Sequence, residues 1–454
     1  MSKTTITLLF SILLFFNSLN ASMSIDEAWE ALLKKSPALK ASQKQKKAAA
    51  LKKSSVKSMY LPSVNLVGSY THLSEPVTMN IEELSQVANE LLVAVGATPV
   101  VPSEVEFSKE DVFLADLQLL WPLYTGGKID AAQDIYGAKV DEADAKEQMK
   151  RDAEFLQLVK YYYGAVVASS LYKTRVEAQR ALQMHYENAK KLKEEGQIAK
   201  VELLNAKVKL DAAKIEATKA KHQYEIALSA LHSLTKSQEI PTSKLFITKS
   251  LEDEKDYKES MRLSYAALKL LDANEKMSSA LVDVKKADFY PTVVAFGDYN
   301  LYKDDSPLME SIPKWYVGLM VNISLIKRED RAQELEIAKV TKSRVKYLKS
   351  EAVDKLELLV EKSYKEMSAS LEEFDSLSSS LQLAKENYRL RTLSFKEGLS
   401  TSVEVVDAEL FLESVKTKRL NAAYNFIQRV SELSVLAGKR EMFFKIAKDS
   451  KEIE

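Results

Sequence analysis

Two glycine turns carry the residues with the most chemistry in this sequence. Glu195-Gly196 is followed by Glu202 and Asn205, and Glu397-Gly398 by Glu404 and Asp407. Each pair stands three residues apart and so shares one helix face. Glycine suits the positive-φ conformation that ends one helix before the next begins. Close carboxylates such as Glu404 and Asp407 repel one another, attract cations and, when several copies meet around a narrow axis, can hold a multivalent cation as a plug. Acidic residues early in a helix also simply favour the positive end of its dipole. Both readings stay open from these residues alone.

Other chemistries find no residues to perform them. The 454-residue chain has no Cys, which excludes disulfides, thiolate zinc sites, iron–sulfur clusters and a Cys nucleophile together. His72, His185, His222 and His232 are the four histidines, and they lack the spacing with acidic partners that a metal site requires. No Gly-rich phosphate loop, Ser nucleophile elbow or HExxH occurs. No catalytic residue, metal or other cofactor is therefore expected, and energy for any transport must come from a partner. With 65 Lys+Arg against 65 Asp+Glu, the electrostatic footprint of a nucleic-acid binder is missing too.

The elements that position the two turns are long helices. Eleven Gly and ten Pro in 454 residues fall well below the roughly 12% of average usage, which excludes a fold of many short strands for most of the length. The prolines leave 123–240 and 314–454 free, and both stretches are rich in strong helix formers. At about 1.5 Å per residue, Lys128 to Glu195 as one helix would measure roughly 100 Å. Leu203, Ala206, Leu210, Ala213, Ala217, Ala220, Tyr224, Ala227, Leu231 and Leu234 alternate in steps of three and four, a coiled-coil seam. Its alanines allow close helix approach.

An internal repeat organises the chain. Leu61-Pro62-Ser63-Val64 with Gly68 and Tyr70 returns as Tyr290-Pro291-Thr292-Val293 with Gly297 and Tyr299, an offset of 229; Val201 to Ala206 returns as Val403 to Ala408, an offset of 202. The difference is absorbed between the strand-like runs, where 74–111 in the first copy answers to 303–313 in the second. The expected organisation is a signal peptide at 1–21, a first repeat at 22–235, a linker at 236–262, a second repeat at 263–438 and a tail at 439–454. Lys3, the apolar run Ile6 to Leu19 and Leu19-Asn20-Ala21 supply the parts of the signal peptide. No later run of 18 apolar residues occurs, so any membrane crossing must use strands.

The strand-like runs alternate. Trp315, Val317, Leu319, Val321, Ile323 and Leu325 are apolar, with Tyr316, Gly318, Met320, Asn322 and Ser324 between them. Phe113, Ala115, Leu117, Leu119 and Trp121 do the same, as do Val293, Ala295, Gly297, Tyr299 and Leu301. Such lengths suit tilted transmembrane strands, although a soluble sheet packed on a core gives the same alternation. Trp121, Tyr124, Tyr299, Tyr302, Trp315 and Tyr316 stand near the run ends, where a membrane barrel places its aromatic girdle. The lipid-facing set is read as Trp315, Val317, Leu319, Val321, Leu117, Leu119 and Trp121. Four strands cannot close a barrel, and open edges cannot face lipid, so identical chains must pool their strands; three chains give twelve.

These residues resemble the TolC family of outer membrane efflux proteins. The resemblance rests on the secretory signal, the strand entry Tyr60-Leu61-Pro62-Ser63, the exit Trp121-Pro122-Leu123-Tyr124-Thr125-Gly126-Gly127-Lys128, Tyr161-Tyr162-Tyr163 and the duplicated turn. It covers nearly the whole mature chain. It implies a mainly α chain with a transmembrane β part: a homotrimer in which a 12-stranded β-barrel in the outer membrane continues into an α-helical tunnel across the periplasm. It also implies a passive exit duct of a tripartite efflux pump or type I secretion system, with a periplasmic adaptor and an inner-membrane transporter as partners. The turns at Gly196 and Gly398 would then be the periplasmic tip, with Glu404, Asp407, Glu202 and Asn205 at the pore entrance.

Three features depart from that pattern, and one reading competes with it. The second copy reads Leu325-Ile326-Lys327-Arg328-Glu329-Asp330 in place of the double glycine. Leu399, Ser400 and Thr401 stand where the family often has a basic residue after the turn glycine. The first loop is long, and its portion from Asn80 to Val95 is amphipathic, which suits the cell surface, the barrel mouth or a tolerated insertion. The competing reading is a secreted coiled-coil structural or periplasmic adaptor protein whose alternating runs form a small soluble sheet.

Overall fold

The computed structural model describes residues 22–325 and 330–453. The signal segment 1–21 lies outside the described residues, as does Ile326 to Glu329 of the second strand-to-helix passage. In chain order the elements are β1 (Ser22–Met23), α1 (Ile25–Lys35), α2 (Pro37–Lys57), β2 (Ser63–His72), β3 (Thr78–Asn80), α3 (Glu82–Ala94), β4 (Glu104–Glu106), β5 (Asp111–Tyr124), α4 (Lys128–Glu194) and α5 (Lys200–Thr235). There follow β6 (Ile240–Pro241), β7 (Phe246–Ile247), α6 (Glu254–Ser264), α7 (Ala266–Ala287), β8 (Thr292–Lys303), α8 (Pro307–Ser311), β9 (Trp315–Asn322), α9 (Arg331–Lys396), α10 (Ser402–Leu436), α11 (Arg440–Asp449) and β10 (Lys451–Glu452). The chain divides into two compact units, one of 1–47, 141–272 and 347–454, the other of 48–140 and 273–346.

The second unit holds a four-stranded antiparallel sheet in the order β2-β5-β8-β9. Its register gathers the alternating runs onto one face. Leu117 pairs with Leu66 and Tyr299, Leu119 with Val64 and Gly297, and Trp121 with Ala295. Across the next ladder Ala295 pairs with Leu319, Gly297 with Val317 and Val293 with Val321. Because directly paired residues point to the same side, these side chains form one continuous apolar surface. The opposite face carries Asn65, Ser69, Gln118, Asp298 and Asn322. The outer strands β2 and β9 each have one edge without a partner among the described residues.

Two register shifts interrupt the β5–β8 ladder. One lies where Ala115 meets Tyr302 while Asp116 meets Asn300, so Leu301 is the extra residue and Tyr302, not Leu301, stands opposite Ala115. The alternation read through Leu301 therefore stops one residue short. The other shift follows Pro122, which has no N–H to give the ladder and sits, as strand prolines do, at a bulge. After β5 the chain turns at Gly126, with φ +65, where a Cβ would come 2.8 Å from the Ala287 carbonyl oxygen. In the second passage Asp330 caps α9 through a 2.8 Å bond from the Ala332 N–H, and the Arg331 guanidinium donates to the Asp288 and Leu325 carbonyls.

The long first loop is folded. β3 and β4 pair, and Ser85 and Asn89 of α3 bind the main chain of Val101 at 2.7–3.0 Å. The polar side of α3 is thus used internally, and Leu84, Val87 and Leu91 are exposed.

The first unit is built around aromatic residues of α4. Phe155, Tyr162 and Tyr163 are fully buried; Phe155 packs edge-on with Trp29 and Phe443, and Tyr163 with Tyr162, Phe246 and Phe443. The Tyr162 hydroxyl donates to the Met23 carbonyl at 2.7 Å and accepts from the Thr242 and Ser243 N–H groups at 3.1 and 2.9 Å. A buried phenol needs such partners, and here they tie the parallel β1–β6 pair to α4. On α5, all ten residues of the seam from Leu203 to Leu234 are buried or half-buried.

Candidate functional site

The two glycine turns have the same backbone. Gly196 and Gly398 take φ +75 and +72, and nothing lies within 4 Å of where a Cβ would stand. The glycine is needed for the dihedral, not for space. At the first turn Gly196 N–H donates to Lys193 O and Gln197 N–H to Leu192 O; at the second, Gly398 N–H donates to Phe395 O and Leu399 N–H to Ser394 O. This is the paired closure of a helix ending in a left-handed residue. Around the turns Ala189, Ala206, Phe395 and Val405 form a small apolar core flanked by Tyr186, Ile198, Leu203 and Tyr388.

The helices that leave the turns start differently. α10 is capped by Thr401, whose hydroxyl accepts from the Glu404 N–H at 3.3 Å, while the Glu404 carboxylate accepts from the Thr401 N–H at 2.9 Å. That reciprocal box satisfies two otherwise orphaned donors. The same carboxylate accepts from Ser400 Oγ at 2.6 Å and from Arg391 Nη1 at 3.1 Å. The Ser400 and Thr401 hydrogen bonds, assisted by the Arg391 charge, hold Glu404 below the usual carboxylate range. α5 follows Ala199, which offers no side-chain cap. Its Glu202 reaches instead to the other hairpin and accepts from the Ser402 N–H at 3.0 Å.

The four entrance residues read from sequence are thus divided. Glu404 and Glu202 both serve the start of α10. Asp407 is exposed, and Asn205 is half-buried on α5. Two participants escaped sequence reasoning. Arg391 supplies from α9 the positive charge missing after Gly398. His185, on α4, is buried with a ring nitrogen 2.6 Å from Ser402 Oγ and its ring 4.5 Å from that of Phe395. Burial pushes its pKa down to about 4.

Further along α10, Glu409 and Glu413 are buried one turn apart. Glu413 is ion-paired with Arg175, and Lys416 bridges to Glu177 at 2.9 Å. One Glu409 carboxylate oxygen is buried without a hydrogen-bond partner, and burial, against the Lys416 charge, pushes its pKa up to about 7. Among the described residues no three His, Asp or Glu side chains converge as a metal would need, and no helix is long and apolar enough to cross a membrane.

Known proteins share this fold. The family model for outer membrane efflux proteins matches residues 28–235 and 261–439. No curated protein matches the sequence. Among solved structures, the outer membrane protein VceC of Vibrio cholerae has a TM-score of 0.72 at 15% identity over 91% of this chain and 96% of its own. The CmeC outer membrane channel of Campylobacter jejuni gives 0.71 at 15% identity over 94% and 90%. The open-state MtrE outer membrane channel of Neisseria gonorrhoeae gives 0.72 at 16% identity over 92% and 89%. At these identities the likeness is one of fold.

Proposed function

The chain belongs to the outer membrane efflux protein family, and we propose that three copies of it form one channel-tunnel serving as the passive exit duct of a tripartite efflux pump or type I secretion system. As a family member it is an outer-membrane efflux channel with helices in the periplasm. That membership sets aside the secreted coiled-coil or adaptor reading. The observation that carries the pooling of copies is the sheet β2-β5-β8-β9, apolar on one face and, among the described residues, unpaired at both edges. Unpaired backbone groups facing lipid cost several kcal/mol each, and four strands are too few to close on themselves. Three copies supply twelve strands and remove every edge. Trp315, Val317, Leu319, Val321, Leu117, Leu119 and Trp121 then face lipid.

In this reading 1–21 directs export, 22–235 and 263–438 are the two repeats, and 236–262 and 439–454 are linker and tail. The turns at Gly196 and Gly398 are the periplasmic tip. Around a three-fold axis, Glu404 and Asp407 of each copy ring the entrance, with Glu202 and Asn205 beside them. A periplasmic adaptor and an inner-membrane transporter are the partners, the transporter supplying the energy. Native mass measurement of the full chain in detergent should give a stable trimer that conducts ions in planar bilayers. A monomer or dimer as the only species overturns the proposal.

A further inference from the structure

α2 is charged unlike the rest of the molecule. Its 21 residues hold seven lysines and no acid, in a chain whose net charge is zero. Three of these lysines lie in its last turns, next to the membrane strands. The chain passes from Lys57 through a single 3₁₀ turn, Ser58–Tyr60, to β2. At about 1.5–2 Å per residue, Lys52, Lys53 and Lys57 sit within roughly 15 Å of Tyr60 along the axis.

Tyr60 marks the periplasmic border of the barrel. Its hydroxyl donates to Asp130 at 2.6 Å, and its carbonyl accepts from the Trp121 indole N–H at 2.9 Å. Tyr60, Leu61, Trp121 and Tyr124 are all exposed there, the mix of aromatic and apolar groups that settles at a membrane–water interface.

The second repeat shows that the fold does not demand this charge. At the offset of 229, Leu281 and Val282 stand where the first copy has Lys52 and Lys53. The lysines that α7 does carry at its end are neutralised: Lys285 binds Glu334 at 2.7 Å and Lys286 binds Asp283 at 2.8 Å. On α2, Lys52 lies 5.8 Å from the centre of the Tyr136 ring and Lys53 extends toward Gly137. Among the described residues neither these two nor Lys57 has a carboxylate partner.

We propose that Lys52, Lys53 and Lys57 dock the headgroups of anionic phospholipids in the leaflet facing the periplasm. The inference rests on the outer-membrane placement. Lysines one or two helical turns below an aromatic border can raise their ammonium groups to the headgroup level while their methylene stems lie along the helix. Polybasic segments beside a membrane attract anionic lipid, and the attraction weakens with salt over a Debye length.

The test uses the full chain in nanodiscs of phosphatidylcholine, alone or with phosphatidylglycerol, and native mass spectrometry to count retained lipids. The wild type should keep phosphatidylglycerol in preference to phosphatidylcholine. The triple variant Lys52→Gln/Lys53→Gln/Lys57→Gln should lose that preference by roughly tenfold or more. Lys40→Gln/Lys44→Gln, charges nearer the start of the same helix, should keep it, and added salt should weaken it. No preference in the wild type, or equal retention by the triple variant, overturns the proposal. So does a triple variant that fails to assemble in phosphatidylcholine alone, because the lysines then bind a neighbouring copy. Failure of the wild type itself to insert in either lipid would instead refute the membrane placement.

Discussion

Glu202 and Ser402 stand 200 positions apart in the chain, and the carboxylate of the first accepts a 3.0 Å hydrogen bond from the backbone N–H of the second. The acid that follows the first glycine turn thereby caps the helix that follows the second turn. Ser402 holds His185 at the same time through its hydroxyl, so one helix start receives contacts from α4, α5 and its own capping box. A lost helix cap costs about 1 kcal/mol. Glu202→Ala should therefore raise amide exchange at 402–405 by roughly fivefold, and Glu202→Gln, which keeps an accepting oxygen, by less. Unchanged exchange in the alanine variant would mean that the α10 start is held without Glu202.

The acids after the second turn are expected to differ in what their neutralisation does. Glu404 is kept ionised by Ser400, Thr401 and Arg391, so its contribution to the α10 start is complete above its ordinary carboxylate pKa and fades only at lower pH. Asp407 is exposed, so in the proposed trimer its carboxylate is the one open to cations at the entrance. Asp407→Asn should thus reduce cation selectivity more than Glu404→Gln, because the Glu404 carboxylate is already engaged by Ser400, Thr401 and Arg391. Reversal potentials of purified channels in planar bilayers measure this. Selectivity unchanged in Asp407→Asn would remove Asp407 from the constriction.

The two faces of β9 should tolerate charge unequally. Leu319 is 68% exposed on the apolar face, opposite Ala295, whereas Asn322 pairs with Thr292 on the other side. An arginine at mid-bilayer costs about 2–4 kcal/mol per chain, so Leu319→Arg should reduce the heat-resistant assembled form recovered from membranes. Asn322→Arg should assemble. Equal yields would place both faces in water.

What was legible in the sequence was whatever repeats locally. The seam from Leu203 to Leu234, the alternation of β9 and the two glycine turns each follow from spacing within one element, and the offset of 229 linked β2 with β8. The bulge at Leu301 was not legible, because a register shift depends on the partner strand. Arg391 was missed because a helix end and a turn separate it from Glu404. The contacts of Glu202 and His185 with Ser402 join residues about 200 positions apart, where no spacing rule applies. The Tyr161-Tyr162-Tyr163 run pointed to the family, but only the structure assigns the Tyr162 phenol to the β1–β6 junction.

His185 should make the start of α10 sensitive to acid. Its folded pKa near 4 lies below the ordinary 6.5. Between those values the opened state binds a proton that the closed state refuses, so stability is full above pH 6.5 and falls as pH drops toward 4. The loss is about 1.4 kcal/mol per pH unit inside that window. Amide exchange at 400–406 should accelerate between pH 7 and pH 5, after correction for intrinsic rates. His185→Gln should flatten the response, and a variant as acid-sensitive as the wild type would assign it to another group.

Glu409 should act in the opposite direction. Its pKa near 7 lies above the ordinary 4.5 because its carboxyl is buried beside α4, with one oxygen unpartnered and Glu413 and Glu177 nearby. Between pH 4.5 and 7 the folded state holds a proton that the unfolded chain has released, so this group's contribution declines as pH rises through that window. Above pH 7 the helices must bury the charge, at a cost on the order of 2 kcal/mol. Glu409→Gln keeps the size and the neutral form. At pH 8 it should raise the urea midpoint of helix unfolding, followed by circular dichroism, and at pH 5 it should match the wild type. The matching arm matters, because a glutamine that stabilised at both pH values would do so by packing rather than by removing a charge. An unchanged midpoint at pH 8 would show that water reaches the Glu409 carboxylate in the assembled tunnel.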